Sequence, residues 1–218
     1  DRIDIDYLGA SVDALQDASG NDYAGDIDIS NITLADGYIK GATVYLELAD
    51  GSRVNTGIVT DANGNFFLTP AAQELIASFT GGFSILAVGG YNVDTGLPNT
   101  QEMRAPQGST VINPLTTLID KVAQTTGDVT TAQTLVKASL GITSTQDLTT
   151  FDPISASKDT SDATAAADAL AVQKAAAAVA TVIAYAEASS GSDSTSEAVV
   201  DAMVATITSA TPTIDLTS

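Results

Sequence analysis

The sequence predicts an α+β protein in which a β-sandwich is followed by an α-helical bundle. The composition changes near residue 113. Before it, short β-branched and aromatic runs alternate with glycine turns, and after it, alanine- and threonine-rich stretches dominate. A run of strands followed by a run of helices is typical of α+β chains or of two joined domains. The 218 residues, 44% of them hydrophobic, are enough to bury a core.

Four segments follow from this organisation. They are an N-terminal strand-forming extension (1–35), the β-sandwich (36–112), a helical domain (113–210) and a C-terminal tail (211–218). In the extension, Ile3, Ile5 and Tyr7 alternate with Asp residues, as do Ile27 and Ile29. Alternation with a period of two predicts half-exposed strands. These strands either complete the chain's own sandwich or add to the sheet of a neighbouring subunit by β-augmentation.

The clearest strand is predicted over residues 38–48, where Val44, Tyr45 and Leu46 favour an extended, half-buried conformation. Gly41 indicates a bulge or a close backbone approach within it. Further strands are expected at residues 53–60, 66–68, 83–88 and 109–112, separated by turn sequences. Several short strands at this spacing favour a β-sandwich.

The helical domain contains recognisable start and stop residues. Asn113 is expected to cap a first helix that has Pro114 at its first position. A second helix is predicted from about Thr131 to the stop at Gly141. The longest helix is predicted over residues 162–188, and a capping box at residues 194–197 opens the last one. The tail is expected to leave this last helix.

The composition excludes several classes of function. With 8 Lys and Arg against 27 Asp and Glu, the net charge of −19 repels phosphate backbones and anionic lipid headgroups. The chain has no His and no Cys, which excludes a Ser-His-Asp triad, a thiolate nucleophile and ordinary zinc or haem sites. Paired carboxylates could hydrolyse a glycoside, but with 5% aromatic residues and no Trp a sugar platform is missing. We therefore expect no enzymatic activity.

No membrane insertion is expected from the sequence. The longest near-apolar run, residues 175–186, is shorter than the roughly 20 residues that a spanning helix needs. The first residues contain no basic region followed by an apolar stretch, so we expect no signal peptide to remain. A chain that begins at Asp1 fits a mature or excised fragment.

The acidic residues suggest calcium as the one cofactor. Most of them are Asp, whose short carboxylates are good hard-oxygen ligands for Ca²⁺. The first candidate site consists of Asp17, Ser19, Asn21, Asp26 and Asp28. Its spacing is similar to an EF-hand loop, but Asp22 stands where that loop requires glycine and no helix is predicted on either side. We therefore predict an irregular calcium-binding loop. The alternative is a solvated acidic surface.

A second candidate calcium site consists of Asp61, Asn63 and Asn65. These oxygen-bearing side chains occupy alternate positions, as in calcium loops. The same residues are also common in hairpin turns, because Asx side chains hydrogen-bond their own backbone. Both interpretations stay open, and the turn is the simpler one.

Four segments of the chain resemble, in order, a module of large bacterial cell-surface and adhesin-like proteins. They are GYIKGATVYLEL (37–48), TDANGNFFL (60–68), DTGLPNTQEMRAPQGSTVINPLTTLI (94–119) and DLTTFDPI (147–154). The resemblance covers roughly residues 36–210. In that family an Ig-like, carboxypeptidase-regulatory-like β-sandwich precedes an alanine-rich helical segment. The resemblance therefore implies an Ig-like antiparallel sandwich, secretion, and a structural or adhesive role without catalysis.

One feature of the family is missing from this chain. The family often carries an acidic insertion after its first strand, and here the short segment LADGS (48–52) occupies that place. A cation site expected there is therefore not carried over. The resemblance does not identify a ligand, because fold-level similarity is a weak argument for function.

The sequence leads to one functional hypothesis and two alternatives. The hypothesis is a non-catalytic, extracellular structural or adhesive module of a bacterial cell surface, stabilised by Ca²⁺. Its partners are copies of itself or neighbouring modules of a surface protein. The first alternative is a self-assembling subunit of an extracellular filament or sheath, linked by strand exchange through residues 1–35. The second is a domain that binds a sugar or a peptide.

Overall fold

The computed structural model describes residues 31–79, 81–190, 194–209 and 214. These residues form a mixed α+β protein, which confirms the α+β part of the predicted fold class. The strands are β1 (Ile32–Leu34), β2 (Ile39–Lys40), β3 (Thr43–Leu48), β4 (Arg53–Val59), β5 (Asn65–Phe66), β6 (Phe83–Val88), β7 (Tyr91–Asn92), β8 (Met103–Pro106) and β9 (Val111–Ile112). The helices are α1 (Pro70–Ala77), α2 (Pro114–Thr126), α3 (Val129–Ser139), α4 (Pro153–Ser157), α5 (Ala163–Ser190) and α6 (Ser194–Ile207). The predicted strands at residues 3–7 and 26–29, and the tail apart from Ile214, lie outside the described residues.

The largest sheet has four antiparallel strands in the order β4-β3-β6-β8. The strand predicted over residues 38–48 is divided into β2 and β3, because Gly41 between them adopts a positive φ of 74°. Along β6, Ile85 and Ala87 face the hydrophobic core, and Ser84 faces helix α2. Both faces of β6 are therefore covered, which explains why its sequence FSILAV is almost entirely apolar.

A second sheet has three strands in the order β5-β1-β9. β1 pairs with β5 antiparallel but with β9 parallel, so the expectation of a purely antiparallel sandwich is wrong at this pair. Ile32 and Leu34 of β1 are buried in the same hydrophobic cluster as Val44 and Leu46 of the four-stranded sheet. The two sheets therefore share one core. The predicted boundary at residue 36 falls after β1, although β1 belongs to this core.

Helix α2 has the cap that the sequence predicts. Asn113 precedes α2, and its side-chain oxygen accepts hydrogen bonds from the backbone N–H groups of Leu115 and Thr116, both 2.9 Å long. The helix ends at Gly127, which has a φ of 78°. Helix α3 begins at Val129, slightly earlier than predicted, because Asp128 caps it through a 2.6 Å bond from the Thr131 N–H. A second hydrophobic core joins α2, α3, α5 and α6.

The apolar part of helix α5 extends well beyond the near-apolar run at residues 175–186. Its segment Ala163–Ala186 has a mean hydropathy of 1.5 and is long enough to cross a membrane by length and composition. The core helix of a globular domain meets the same criterion. Here Val172, Val179 and Ile183 of α5 are buried in the core that α2 and α6 share, although only 28% of the apolar segment is buried.

Candidate functional site: the charge network between sheet and helices

The first turn of α2 lies against strand β8, and threonine side chains fix the two together. The Thr116 hydroxyl donates to the carbonyl oxygen of Arg104 at 2.7 Å. The Arg104 N–H in turn donates to the Thr117 Oγ1 at 2.9 Å. Both threonines are buried. Because β8 is the last strand of its sheet, these bonds also satisfy backbone groups at an edge that would otherwise be open.

The side chain of Arg104 is the buried centre of an ion-pair network. Only 6% of this side chain is exposed, and it forms a two-pronged salt bridge with Glu47 of β3, in which the Nη2–Oε2 distance is 3.0 Å. Glu47 also binds Arg53 of β4, with 2.8 Å between Nε and Oε2. Arg53 then binds Glu102 through two further bonds of 2.8 Å. The network therefore crosses the strands β8, β3 and β4.

The two arginines, Arg104 and Arg53, keep the carboxylate of Glu47 ionised. Burial disfavours the ionised carboxylate, but hydrogen bonds from Arg104 and Arg53 outweigh that cost and lower the pKa of Glu47. Glu47 therefore stays ionised when the protein is folded. Its ion pairs contribute stability above the pKa of an unfolded Glu, and that contribution is lost as the pH falls through the lower pKa of the folded state.

A buried carboxylate connects the same face of the sheet to α2. Asp120 of α2 is 3% exposed and accepts a 2.7 Å hydrogen bond from the Ser84 hydroxyl of β6. The side-chain amide of Gln124, one turn further along α2, donates to its other oxygen at 3.0 Å. Burial raises the pKa of Asp120, and the Ser84 bond and the Arg104 charge oppose that rise.

A cavity of about 340 Å³ lies beside this network, between the sheet and helices α2, α5 and α6. Three of the eight cationic residues of the chain line it, namely Arg53, Arg104 and Lys121. The Lys121 ammonium pairs with Glu197 of α6 at 3.0 Å and with Asp201 at 3.7 Å. These cations are therefore neutralised by acidic side chains of the protein itself. The ion pairs themselves lie within the sheet or between α2 and α6. The sheet is held to α2 by the hydrogen bonds of Thr116, Thr117 and Asp120, which we call the joint.

Two further contacts link the sheets to the helical part. The side-chain amide of Gln101 donates to the carbonyl of Ala180 in the middle of α5, at 2.9 Å. The Tyr38 hydroxyl donates to Asp152, the N-cap of α4, at 2.8 Å. The ammonium group of Lys158 also lies over the ring of Tyr38, 5.6 Å from the ring centre. The joint is therefore fixed at three separate places: at α2, at α5 and at α4.

The candidate calcium residues are only partly described by the structure. Asp17, Ser19, Asn21, Asp26 and Asp28 lie outside the described residues. In the second set, Asp61 Oδ1 accepts from the backbone N–H of Asn63 at 2.7 Å and of Asn65 at 2.8 Å, and Asn65 Oδ1 accepts from the Thr33 hydroxyl at 2.9 Å. The first two hydrogen bonds stabilise a hairpin turn, and the third connects this turn to β1. Within the described ranges no group of three acidic side chains is placed to share a metal ion. Calcium binding stays a prediction.

Sequence reasoning missed the charge network. Glu47, Arg53 and Arg104 each lie in a strand, and charged side chains within predicted strands can indicate cross-strand ion pairs. Glu47 and Arg53 are indeed direct cross-strand neighbours. That pair could have been predicted from the hairpin at residues 50–51. The pair with Arg104 could not, because it depends on β6 lying between β3 and β8.

Comparisons of the chain with protein-family models, with curated proteins and with solved structures found no match.

Replacing Arg104 by methionine should destabilise the fold strongly, because Glu47 would lose its buried partner. We expect Arg104→Met to lower the free energy of unfolding by about 3 kcal/mol, as for broken buried ion pairs. The matched control is Arg53→Met, which removes the other arginine from the same carboxylate. Its side chain is 38% exposed, so we expect a loss below about 1 kcal/mol. Urea denaturation measures both values. Equal losses would contradict the central role of Arg104.

Proposed function

We propose that this chain is a non-catalytic structural or adhesive module of a bacterial cell surface. The single observation that supports this proposal most is the joint around Arg104. Of the only two buried ionisable side chains among the described residues, Arg104 pairs with Glu47 within the four-stranded sheet, and Asp120 of α2 accepts a hydrogen bond from Ser84 of that sheet. Buried polar bonds that hold the sheet to the helices favour a module that keeps its shape under mechanical load.

For the architecture of this α+β fold, we propose an Ig-like sandwich followed by a helical bundle. Two features support it. The chain leaves the four-stranded sheet after β4, forms β5 in the other sheet, and returns as β6 beside β3. Crossing between two sheets that share a core is typical of β-sandwiches. The alanine-rich α5 then matches the helical segment that the family resemblance implies.

The location and the cofactor in this proposal come from the sequence. A charge of −19 and a predominance of Asp fit a solvated extracellular surface that binds Ca²⁺ in Asp-rich loops. The partners are copies of the chain or neighbouring modules of a surface protein. The segment with the most acidic loop, residues 17–28, is the preferred calcium site.

The filament is the second candidate, and the structure restricts how strand exchange would work. β1 is the central strand of its sheet and supplies Ile32 and Leu34 to the core. Deleting residues 1–35 would therefore remove part of the fold. Only residues that precede β1 are available for exchange, so a deletion that tests assembly must end before residue 31.

Surface location is tested by antibodies raised against the purified chain. We expect them to label intact cells of the source organism without permeabilisation, because the module is proposed to face the medium. Antibodies against a cytoplasmic protein of the same cells serve as the control and should require permeabilisation. Labelling that appears only in permeabilised cells would refute the proposed location.

Calcium binding is tested by thermal unfolding of the full chain at constant ionic strength. Calcium at a hundred times its dissociation constant should stabilise the folded state by about 2.7 kcal/mol relative to chelator. The variant Asp17→Asn/Asp28→Asn should lose most of this difference, and Asp61→Asn, whose carboxylate holds a turn, should keep it. A melting temperature that is the same in calcium and in chelator would remove calcium from the proposal.

A further inference from the structure

A shallow apolar groove of about 460 Å³ lies between helices α5 and α6, and we call it the α5–α6 groove. Its apolar lining comes from α5, from one face of α6 and from the C-terminal tail: Val182, Ala198, Val199, Ala202, Met203 and Ile214. Thr206 also lines it, and its hydroxyl donates to the carbonyl of Ala202 at 2.9 Å. None of the described residues that line the groove is charged, although the chain carries a net charge of −19. The groove therefore fits an uncharged, apolar side chain.

The tail of the chain meets this groove at Ile214. The backbone N–H of Ile214 donates to the carbonyl of Ser139, the last residue of α3, at 3.0 Å. Its side chain is half-buried and packs against the hydrophobic core that includes Met203. The structure therefore fixes the point at which the tail reaches the groove, and at that point an apolar side chain of the tail lies against the helices.

The residues that follow Ile214 continue an alternating pattern. Asp215 comes next, and Leu216 is the following apolar residue. In an extended segment, side chains two residues apart lie on the same side and the side chain between them points the other way. An extended continuation from Ile214 would therefore turn Leu216 toward the helices and the carboxylate of Asp215 toward the solvent.

The distances allow Leu216 to reach the groove. Two extended residues advance a chain by about 7 Å. The α6 part of the lining runs from Ala198 to Thr206, and eight helical residues span about 12 Å. Because Ile214 already lines the groove, a side chain about 7 Å further along the tail is within reach of the remaining lining.

We propose that the chain's own segment 214–216 occupies the α5–α6 groove, with Ile214 as its anchor and Leu216 as the side chain that fills it. Removal of the leucine side chain from water stabilises the docked segment. The segment then works as a strap that connects α3, α5 and α6 and covers an apolar surface that would otherwise be open to other molecules. This inference goes beyond the proposed function, because it concerns a contact within one molecule and does not depend on where the protein is located.

The test uses the absence of cysteine from the chain, which makes introduced thiols unambiguous. The test variant of the full chain is Leu216→Cys/Ala202→Cys, and the matched control is Leu216→Cys/Ala205→Cys. Ala202 and Ala205 are both exposed on α6, but only Ala202 lines the groove. Ala205 is closer to Leu216 in sequence, so random closure of the disulfide favours the control. Cysteine behaves as a small apolar side chain and keeps part of the proposed contact.

Both variants are oxidised at low protein concentration, and non-reducing electrophoresis with mass spectrometry follows the disulfide. Docking raises the effective concentration of the two thiols, so we expect the Ala202→Cys variant to close its disulfide about tenfold faster than the control. Adding Ile214→Ser to both variants should bring the two rates together, because it removes the anchor.

Equal rates in the Ala202→Cys and Ala205→Cys variants would overturn the proposal. Disulfide-linked dimers as the main product of the Ala202→Cys variant would also overturn it, because the tail of a second copy would then occupy the groove.

Discussion

The salt bridge between Arg104 and Glu47 is the interaction on which the rest of the structure depends. A buried guanidinium is tolerated only when a carboxylate pairs with it and hydrogen bonds satisfy its surroundings. Glu47 supplies the charge from the middle of the four-stranded sheet, and Thr116 and Thr117 bind the backbone of Arg104 from the first turn of α2. One residue therefore ties β3 to β8 through its side chain and β8 to α2 through its backbone.

This arrangement has consequences for both halves of the molecule. The outer face of the four-stranded sheet is not available as a binding surface near β6 and β8, because α2 covers it and Asp120 bonds to Ser84 across the gap. The exposed large apolar side chains of the described residues include Tyr91 and Leu97, on the hairpin that follows β6.

The sequence predicted the features that depend on near neighbours. The Asn113 cap, the Gly141 stop and the turn at Asp61 follow from local backbone chemistry. The stop at Gly127 and the cap at Asp128 have the same local origin but were found only in the structure. What could not be predicted depends on distant parts of the chain. The parallel pairing of β1 with β9 and the Arg104–Glu47 pair both require the order of strands in space, which local patterns do not contain.

The central claim, that the joint makes sheet and helices one cooperative unit, is tested most directly by scanning calorimetry of the full chain. We expect one unfolding transition whose calorimetric enthalpy equals its van't Hoff enthalpy, because neither half can unfold without exposing the buried charges of the other. Two separate transitions, or a calorimetric enthalpy well above the van't Hoff value, would show that the sheet and the helices unfold independently.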